Sequence, residues 1–180
     1  MTASAAPRHS IAEINRLDPS EFAAAFGKVY EHSPWVAERA FALRPGSGFS
    51  SRAALHAALV ATVQSASEAE QVALLNAHPD LAGKEAEAGT LTDASTREQA
   101  QAGLTALTRA EVEQLRASNA DYRARFGFPF IIAARNNTKA AIYGTLAARL
   151  HNTREMELHN ALAQVGEIAR LRLTDLVEDR

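Results

Sequence analysis

The sequence predicts an all-α fold, built as a single-domain compact bundle of roughly seven to eight helices. Glycine and proline are sparse, at 9 and 6 of 180 residues, and much of the apolar share is alanine, the strongest helix former. The apolar residues recur with a period near 3.6 rather than 2. A chain of this length suits one domain with its own core. We expect that domain to occupy residues 11–180, after a disordered tail at residues 1–10.

Several helix starts carry recognisable caps. Asp18-Pro19-Ser20-Glu21 combines an acidic cap, proline at the first helical position and glutamate three residues after the cap. Thr108 and Glu111 have the spacing of a second capping box. Ser33-Pro34 repeats the pairing of a cap with proline, and Thr153 is expected to cap the last long helix.

Between these starts, apolar side chains recur three or four residues apart, which places them along one face of a helix. Three such stripes are Phe22, Phe26, Val29 and Tyr30; Ile142, Leu146, Arg149 and Leu150; and Val165, Ile168, Leu171 (or Arg172) and Leu176.

Three stretches lack a helical sequence pattern. Residues 44–50 form a loop rich in glycine, proline and serine, and residues 78–93 form a long polar connection. Residues 126–132 are aromatic and β-branched and are interrupted by Pro129. Because long connections inside a compact domain are often functional, the search for a site concentrates on these segments.

Charge and composition limit the classes of partner and location. The net charge is −2, so the chain has no excess of positive charge for binding a phosphate backbone, and we expect no nucleic-acid partner. Cysteine is absent from the sequence, which excludes disulfides and thiolate metal ligands. No apolar run approaches the roughly 20 residues that span a bilayer, and the N-terminus lacks a secretory signal. We therefore expect a cytoplasmic protein without a membrane partner.

His78 lies where a helical pattern runs into proline, in the stretch NAHPDLAGKE. Histidine serves as an acid or a base because its ordinary pKa lies near neutrality. Pro79 fixes the direction in which the chain leaves the helix. One interpretation is a catalytic histidine; the other is a helix end at which His78 binds a carbonyl of the last turn.

A second candidate is the stretch Ser95-Thr96-Arg97-Glu98-Gln99. On a helix, Ser95, Glu98 and Gln99 share one face, which would offer a hydroxyl, a carboxylate and an amide together. The alternative is a capping box formed by Ser95 and Glu98. Such a box has no need of Gln99.

The segment from residue 119 to residue 131, NADYRARFGFPFI, is the third candidate. Its irregular part leaves backbone groups available for a small polar ligand. Interleaved Arg and Phe also suggest single-stranded nucleic acid, but that interpretation needs a sheet platform or a basic groove, and the sequence predicts neither. The remaining alternative is that Phe126, Phe128 and Phe130 are core residues.

Arg172 is the fourth candidate. Arg170 and Arg172 lie about 200° apart around a helix, so one of them is expected to point inward. A buried arginine needs a partner, which is either an anionic ligand or a structural carboxylate.

Four motifs in order resemble one family. HPDLAGK, S-x-x-E-Q, N-x-x-Y-x-x-R-F-G-F-P-F-I and E-I-A-R-L-R-L are similar to motifs of the 2-oxo-4-hydroxy-4-carboxy-5-ureidoimidazoline (OHCU) decarboxylases. The resemblance extends from Ser33 to Arg172. It implies an all-helical carboxy-lyase that forms (S)-allantoin and CO₂ in the last step from urate. It also implies a homodimer and an enzyme that needs no cofactor or metal.

The resemblance also implies two catalytic residues and six residues that contact the substrate. The catalytic pair is His78 and Glu98. The others are Pro79, which lines the pocket; Ser95 and Gln99, which hydrogen-bond the substrate; Arg172, which clamps it; and Phe130 and Ile131, whose backbone contacts the ring. Two alternatives remain open: a different small-acid lyase on the same scaffold, and a helical module that only binds a ligand or nucleic acid.

Overall fold

A computed structural model describes residues 8–178, without the side chain of residue 85. Within those residues it contains ten α-helices and no strand, which confirms the predicted all-α class. Eight of the helices have eight residues or more, in agreement with the predicted number, and two are shorter.

The helices in chain order are α1 Ile11–Ile14, α2 Pro19–Phe26, α3 Trp35–Ala42, α4 Arg52–Gln64, α5 Glu68–Asn76, α6 Lys84–Ala88, α7 Asp93–Gln101, α8 Arg109–Phe126, α9 Lys139–Arg149 and α10 Arg154–Leu176. Two 3-10 turns, Leu104–Ala106 and Ala134–Asn136, precede α8 and α9. In the part of the chain that the structure describes, no helix combines the length and the apolar character needed to cross a membrane.

The chain divides into two compact units. Unit 1 comprises Met1–Ser67 and Ile168–Arg180, and unit 2 comprises Glu68–Glu167. The predicted domain at residues 11–180 contains parts of both.

Unit 1 packs around an aromatic core. The Phe22 ring lies 4.8 Å from Phe26 and 5.4 Å from Phe41 between centroids. The first and the last described segments of the chain meet in this unit, since the His9 N–H donates to the Leu176 carbonyl at 2.8 Å. Residues 1–7 of the predicted tail lie outside the described residues; in the described part, Ser10 caps α1.

The predicted caps are confirmed at three helices. Asp18 and Thr108 each form a capping box with the glutamate three residues later. The Thr153 hydroxyl accepts the Met156 N–H at 3.3 Å at the start of α10.

Ser33 was wrongly predicted as a cap. Pro34 occupies the N-cap position of α3 in a helical conformation, with no side-chain cap bond. The chain enters α3 from a tight turn at His32, where φ is +46°. The helical turn therefore begins with a bond from the Val36 N–H to the Ser33 backbone carbonyl, at 3.2 Å.

Unit 2 contains the aromatic segment. The Tyr122 ring lies 4.6 Å from Phe126 and 5.4 Å from Phe130, and all three side chains are buried. This confirms that the phenylalanines of FGFPF are core residues. Helix α8 ends at Phe126, the first residue of the stretch predicted to be non-helical, and residues 127–133 contain no helix, which confirms the prediction for the rest of that stretch.

The connection over residues 78–93 differs from the prediction, because it contains α6. The residues of α6, KEAEA, are all strong helix formers, which explains the extra turn. Gly89, at φ +66°, directly follows the last residue of the helix.

Candidate active site

His78 lies two residues beyond the end of α5 and is buried. Its Nδ1 atom is 2.9 Å from the Leu74 carbonyl oxygen. A carbonyl can only accept a hydrogen bond, so Nδ1 carries the hydrogen, and the other ring nitrogen is the one that can gain or lose a proton. That atom, Nε2, is buried. The helix-end interpretation is thus confirmed for Nδ1, and the same bond fixes the orientation of the ring; the catalytic role of His78 stays a prediction.

Helix α7 presents Ser95 and Gln99 inward. The N-cap of α7 is Thr92, whose hydroxyl accepts the Ser95 N–H at 3.3 Å. Ser95 therefore lies inside the first turn, and the alternative of a capping box made by Ser95 and Glu98 is wrong. Ser95 and Gln99 are buried, while Glu98 is partly exposed on the adjoining part of the helix surface.

A direct hydrogen bond joins the loop after His78 to α7. The Gln99 Oε1 atom accepts the Ala82 N–H at 3.0 Å. The Leu81 carbonyl, in the same loop, accepts a hydrogen bond from Asn119 Nδ2, also at 3.0 Å. The structure thereby links the HPDLAGK and S-x-x-E-Q motifs, which the resemblance assigns to one site.

Arg123 of α8 holds the chain on both sides of His78. Its guanidinium donates to Asn76 Oδ1 at 2.8 Å and to Asp80 Oδ1 at 3.0 Å. Asn76 in turn donates to the Gly127 carbonyl at 3.1 Å. Because Arg123 and Asp80 are 41% and 29% exposed, this ion pair contributes to geometry more than to stability.

The Ile131 carbonyl is fixed by a buried arginine. Arg149 donates from Nη1 to that carbonyl at 2.8 Å, from Nε to Glu157 at 2.8 Å and from Nη2 to the Tyr122 hydroxyl at 3.2 Å. Tyr122 itself donates to Glu157. Phe130 packs its side chain in the core, so only its backbone remains for a ligand.

This network shifts two pKa values. Burial raises the pKa of Tyr122, and its hydrogen bond to Glu157 adds to that shift. For Glu157, burial acts to raise the pKa, but bonds from Tyr122, Asn152, Asn160 and Arg149 together lower it below its ordinary value. Glu157 is therefore an ionised, buried partner of Arg149.

Comparison with known proteins identifies the family. A model of the OHCU decarboxylase family matches residues 15–174. The chain belongs to the OHCU decarboxylase family. It is therefore a decarboxylase, a carboxy-lyase.

Relatives and solved structures agree with that membership. An OHCU decarboxylase of Haloferax volcanii is 44% identical over 92% of this chain and 95% of its own length. A bifunctional uric acid degradation protein of Bacillus subtilis is 40% identical over 93% of this chain, which spans 33% of that protein. The solved structure of an (S)-allantoin synthase superposes with a TM-score of 0.74 at 32% identity, covering 93% of this chain and 54% of that one.

Arg172, the substrate clamp implied by the OHCU decarboxylase resemblance, lies in unit 1. It is buried, whereas Arg170 is exposed, which confirms that one of the two arginines points inward. Its Nη1 atom donates to Glu31 Oε2 at 2.9 Å and to the Val29 carbonyl at 3.3 Å. A structural carboxylate is thus one partner of this guanidinium, and its role as a clamp stays a prediction.

The other seven predicted site residues belong to unit 2 and lie on three segments: the loop after α5, helix α7 and the irregular stretch after α8. They are His78, Pro79, Ser95, Glu98, Gln99, Phe130 and Ile131. Within residues 8–178, no three His, Cys, Asp or Glu residues form a group suited to a metal ion.

Sequence reasoning missed three residues that hold these segments, Asn119, Arg149 and Glu157, and it also missed Glu31, which contacts Arg172. Arg149 had a visible signal, because a charged side chain on an apolar helix stripe implies a buried charge. Asn119 opens the third motif but has no chemical signal of its own. Glu31 and Glu157 are identified only by the arginines that they contact.

Proposed function

We propose that this OHCU decarboxylase family member converts 2-oxo-4-hydroxy-4-carboxy-5-ureidoimidazoline to (S)-allantoin and CO₂, the last step from urate. The observation that carries the proposal is the His78 ring, held through Nδ1 on a loop that is hydrogen-bonded to Gln99 of α7. A proton-exchanging nitrogen is thereby tied to the helix that carries Ser95 and Glu98. The names of the similar proteins support the same substrate and product.

The substrate supplies its own electron sink. When the C4–carboxylate bond breaks, its electron pair forms a C4=C5 double bond, and the former C5=N π pair moves to nitrogen, which takes a proton. C5 then accepts a proton on one face while the 4-hydroxyl loses its proton and becomes the C4 carbonyl. The sum is loss of CO₂ and formation of one enantiomer of allantoin, without a cofactor or a metal.

We assign the proton transfers to two side chains. His78 Nε2 and the Glu98 carboxylate manage the 4-hydroxyl proton and stabilise the charge that develops as CO₂ leaves. Groups in such roles typically contribute about 10²- to 10⁴-fold in rate. The buried position of Nε2 keeps water from competing for that proton.

The remaining predicted residues bind and orient the substrate. Ser95 and Gln99 hydrogen-bond its polar edge, and Pro79 lines the pocket. The backbone at Phe130 and Ile131 contacts the ring. Arg172 clamps an anionic group, as the resemblance implies. Correct orientation of a leaving group can contribute as much as acid–base catalysis.

Two further properties belong to the proposal. We propose that the enzyme acts as a homodimer and that it is cytoplasmic, as the resemblance and the sequence imply. Light scattering on the purified protein tests the first, since a dimer has twice the chain mass of 19.3 kDa. A mass that stays at one chain across concentrations would contradict it.

The activity test uses the instability of the substrate. OHCU is generated from urate by the two upstream enzymes, the protein is added, and circular dichroism is followed together with absorbance. We expect rapid growth of an (S)-allantoin signal, which His78→Ala abolishes. His159→Ala is the matched control, because His159 is exposed on α10.

Two results would contradict this scheme in different ways. If the wild-type protein leaves only slow decay to an optically silent product, the proposed reaction is wrong. If it makes (S)-allantoin but His78→Ala does so at a similar rate, the reaction stands and the assigned site is wrong.

A further inference from the structure

One peptide group after His78 is held at both ends by buried side-chain amides. The group joins Leu81 to Ala82: its carbonyl accepts from Asn119 Nδ2 and its N–H donates to Gln99 Oε1, each at 3.0 Å. In a trans peptide these two groups point in opposite directions, so the two side-chain amides bind opposite edges of the same peptide plane. All four residues are buried.

The backbone at this peptide is strained. Ala82 has φ +48°, in the left-handed region that costs energy for any residue with a Cβ atom. Such a conformation persists only where the surroundings over-determine it, and it is commonest at functional sites. The bonds from Asn119 and Gln99 are two such constraints, and they act on the peptide group that immediately precedes the strained Cα.

The hydrogen bond between the Ala82 N–H and Gln99 determines which end of the Gln99 amide meets a ligand. Oε1 already accepts the Ala82 N–H, and a flipped amide would place two donors against each other. The Nε2 hydrogens are therefore the groups that Gln99 can offer. A donor in this position recognises an acceptor, such as a carbonyl or carboxylate oxygen of the substrate.

Stability alone does not account for Asn119. Its Nδ2 bonds the Leu81 carbonyl, but its Oδ1 is buried without a hydrogen-bond partner among the described residues. A buried acceptor without a partner opposes folding, and a leucine of similar size would not carry one. Residues that break such a rule are expected at functional sites.

We propose that Asn119 is a positioning residue: by fixing the Leu81–Ala82 peptide, it holds the Gln99 amide as a donor to an acceptor oxygen of the substrate. The inference rests on the proposed function, because it concerns how that substrate is bound. Asn119 itself does not touch the substrate. Its effect passes through Gln99 and appears in binding.

A double-mutant cycle tests this path. Asn119→Leu is expected to raise KM about tenfold, the equivalent of one hydrogen bond, and to leave kcat within about twofold. Gln99→Leu should raise KM at least as much. Because Asn119 acts through Gln99, the double variant should be no worse than Gln99→Leu alone. Two effects that multiply would overturn the inference, since they would mean that Asn119 acts independently of Gln99.

Asn119→Asp adds a readout that depends on pH. A neutral carboxyl group can donate to the Leu81 carbonyl, whereas a carboxylate cannot and is repelled by it. Burial raises the pKa of such a carboxyl group. The KM of Asn119→Asp should therefore be close to the wild-type KM at low pH, and it should rise with pH towards the KM of Asn119→Leu. If the ratio of the Asn119→Asp KM to the wild-type KM stays constant with pH, the donor role of residue 119 is contradicted.

Asn15→Leu is the matched control. Asn15 also grips a backbone segment, since it donates to the Phe49 carbonyl at 2.9 Å and accepts the Phe49 N–H at 2.8 Å. It lies in unit 1, and it is neither a predicted site residue nor part of one of the four motifs. This variant should lose thermal stability yet keep KM within about twofold of the wild type. A tenfold rise in its KM would show that the effect of Asn119→Leu is not specific.

Hydrogen exchange separates this inference from the proposed reaction. The protection factor of the Ala82 N–H should fall about tenfold in Asn119→Leu and recover in Asn119→Asp at low pH. This measurement needs no turnover. If the wild type fails to convert OHCU, the proposed function is wrong. The exchange data then still show whether Asn119 fixes the Leu81–Ala82 peptide. Unchanged protection in a folded Asn119→Leu protein would overturn the inference even if the enzyme is active.

Discussion

Replacing Arg149 is expected to cost more stability than any other change considered in unit 2. Its guanidinium donates to Glu157, to the Ile131 carbonyl and to the Tyr122 hydroxyl, and it lies over the Phe130 ring at 4.9 Å. The side chains of Arg149 and Glu157 are only 9% and 0% exposed. Arg149→Met keeps much of the apolar stem and removes the charge and the donors.

The magnitude follows from what the change leaves behind. Removing one partner of a buried ion pair costs about 3–5 kcal/mol, because the other charge stays uncompensated. Glu157 keeps donors from Tyr122, Asn152 and Asn160, which favours the lower end, about 3 kcal/mol. The Ile131 carbonyl loses its donor, which adds about 1 kcal/mol. The sum of about 4 kcal/mol corresponds to a fall in Tm of roughly 8–16 °C for a chain of this size.

Urea unfolding followed by circular dichroism at a helix wavelength measures this loss. Arg154→Met is the control, because its ion pair with Glu68 at 2.7 Å is 49% and 61% exposed, and such pairs contribute less than about 1 kcal/mol. Arg149→Met combined with Glu157→Gln should lose less than the sum of the single changes, since both act on one interaction. If Arg149→Met is no less stable than the Arg154→Met control, the buried network does not stabilise unit 2 as argued.

Two more predictions concern the charged pairs. Arg172→Ala should raise KM about tenfold or more with a smaller change in kcat, because it removes a charge-assisted bond to the substrate; an unchanged KM would remove Arg172 from the binding residues. The pKa of Glu157 is lowered in the folded protein. The stability that this carboxylate contributes is therefore fully present at a pH above its unfolded pKa of 4.5, and it is lost as the pH falls through the folded pKa. The gap in urea midpoint between the wild type and Glu157→Gln should therefore be widest near neutrality and narrow below pH 4.5; a gap that widens in acid would reverse the assigned sign.

The helices were predictable because their signals are local. The caps at Asp18 and Thr108 and the apolar stripes depend on residues three or four positions apart. The errors were local as well: Pro34 replaced Ser33 as the cap of α3, and the KEAEA stretch formed a helix inside a polar connection. The first error relied on a cap signal and the second on loop signals, and neither prediction gave enough weight to the conformation that neighbouring residues favour.

The hydrogen bonds that hold the predicted site residues within each unit were not predictable in the same way. Asn119 and Leu81 are 38 residues apart, Arg149 and Ile131 18 apart, and Arg172 and Glu31 141 apart. Periodicity reports which face of a helix is buried, but it does not report what that face meets. The family resemblance implied that His78 and Gln99 belong to one site, but only the fold could show that a backbone N–H links the His78 loop to Gln99.

Helix α8 explains why two separate loops keep a fixed relation to each other within unit 2. Asn119, Tyr122 and Arg123 lie at offsets of 0, 3 and 4, on one face of the helix. Asn119 and Arg123 bind the loop after His78, through Leu81 and Asp80. Tyr122 meets Arg149, which holds the Ile131 carbonyl. One helix face thus connects the segment proposed to exchange protons with the segment proposed to contact the substrate ring, so a change that rotates or shortens α8 should disturb binding at both.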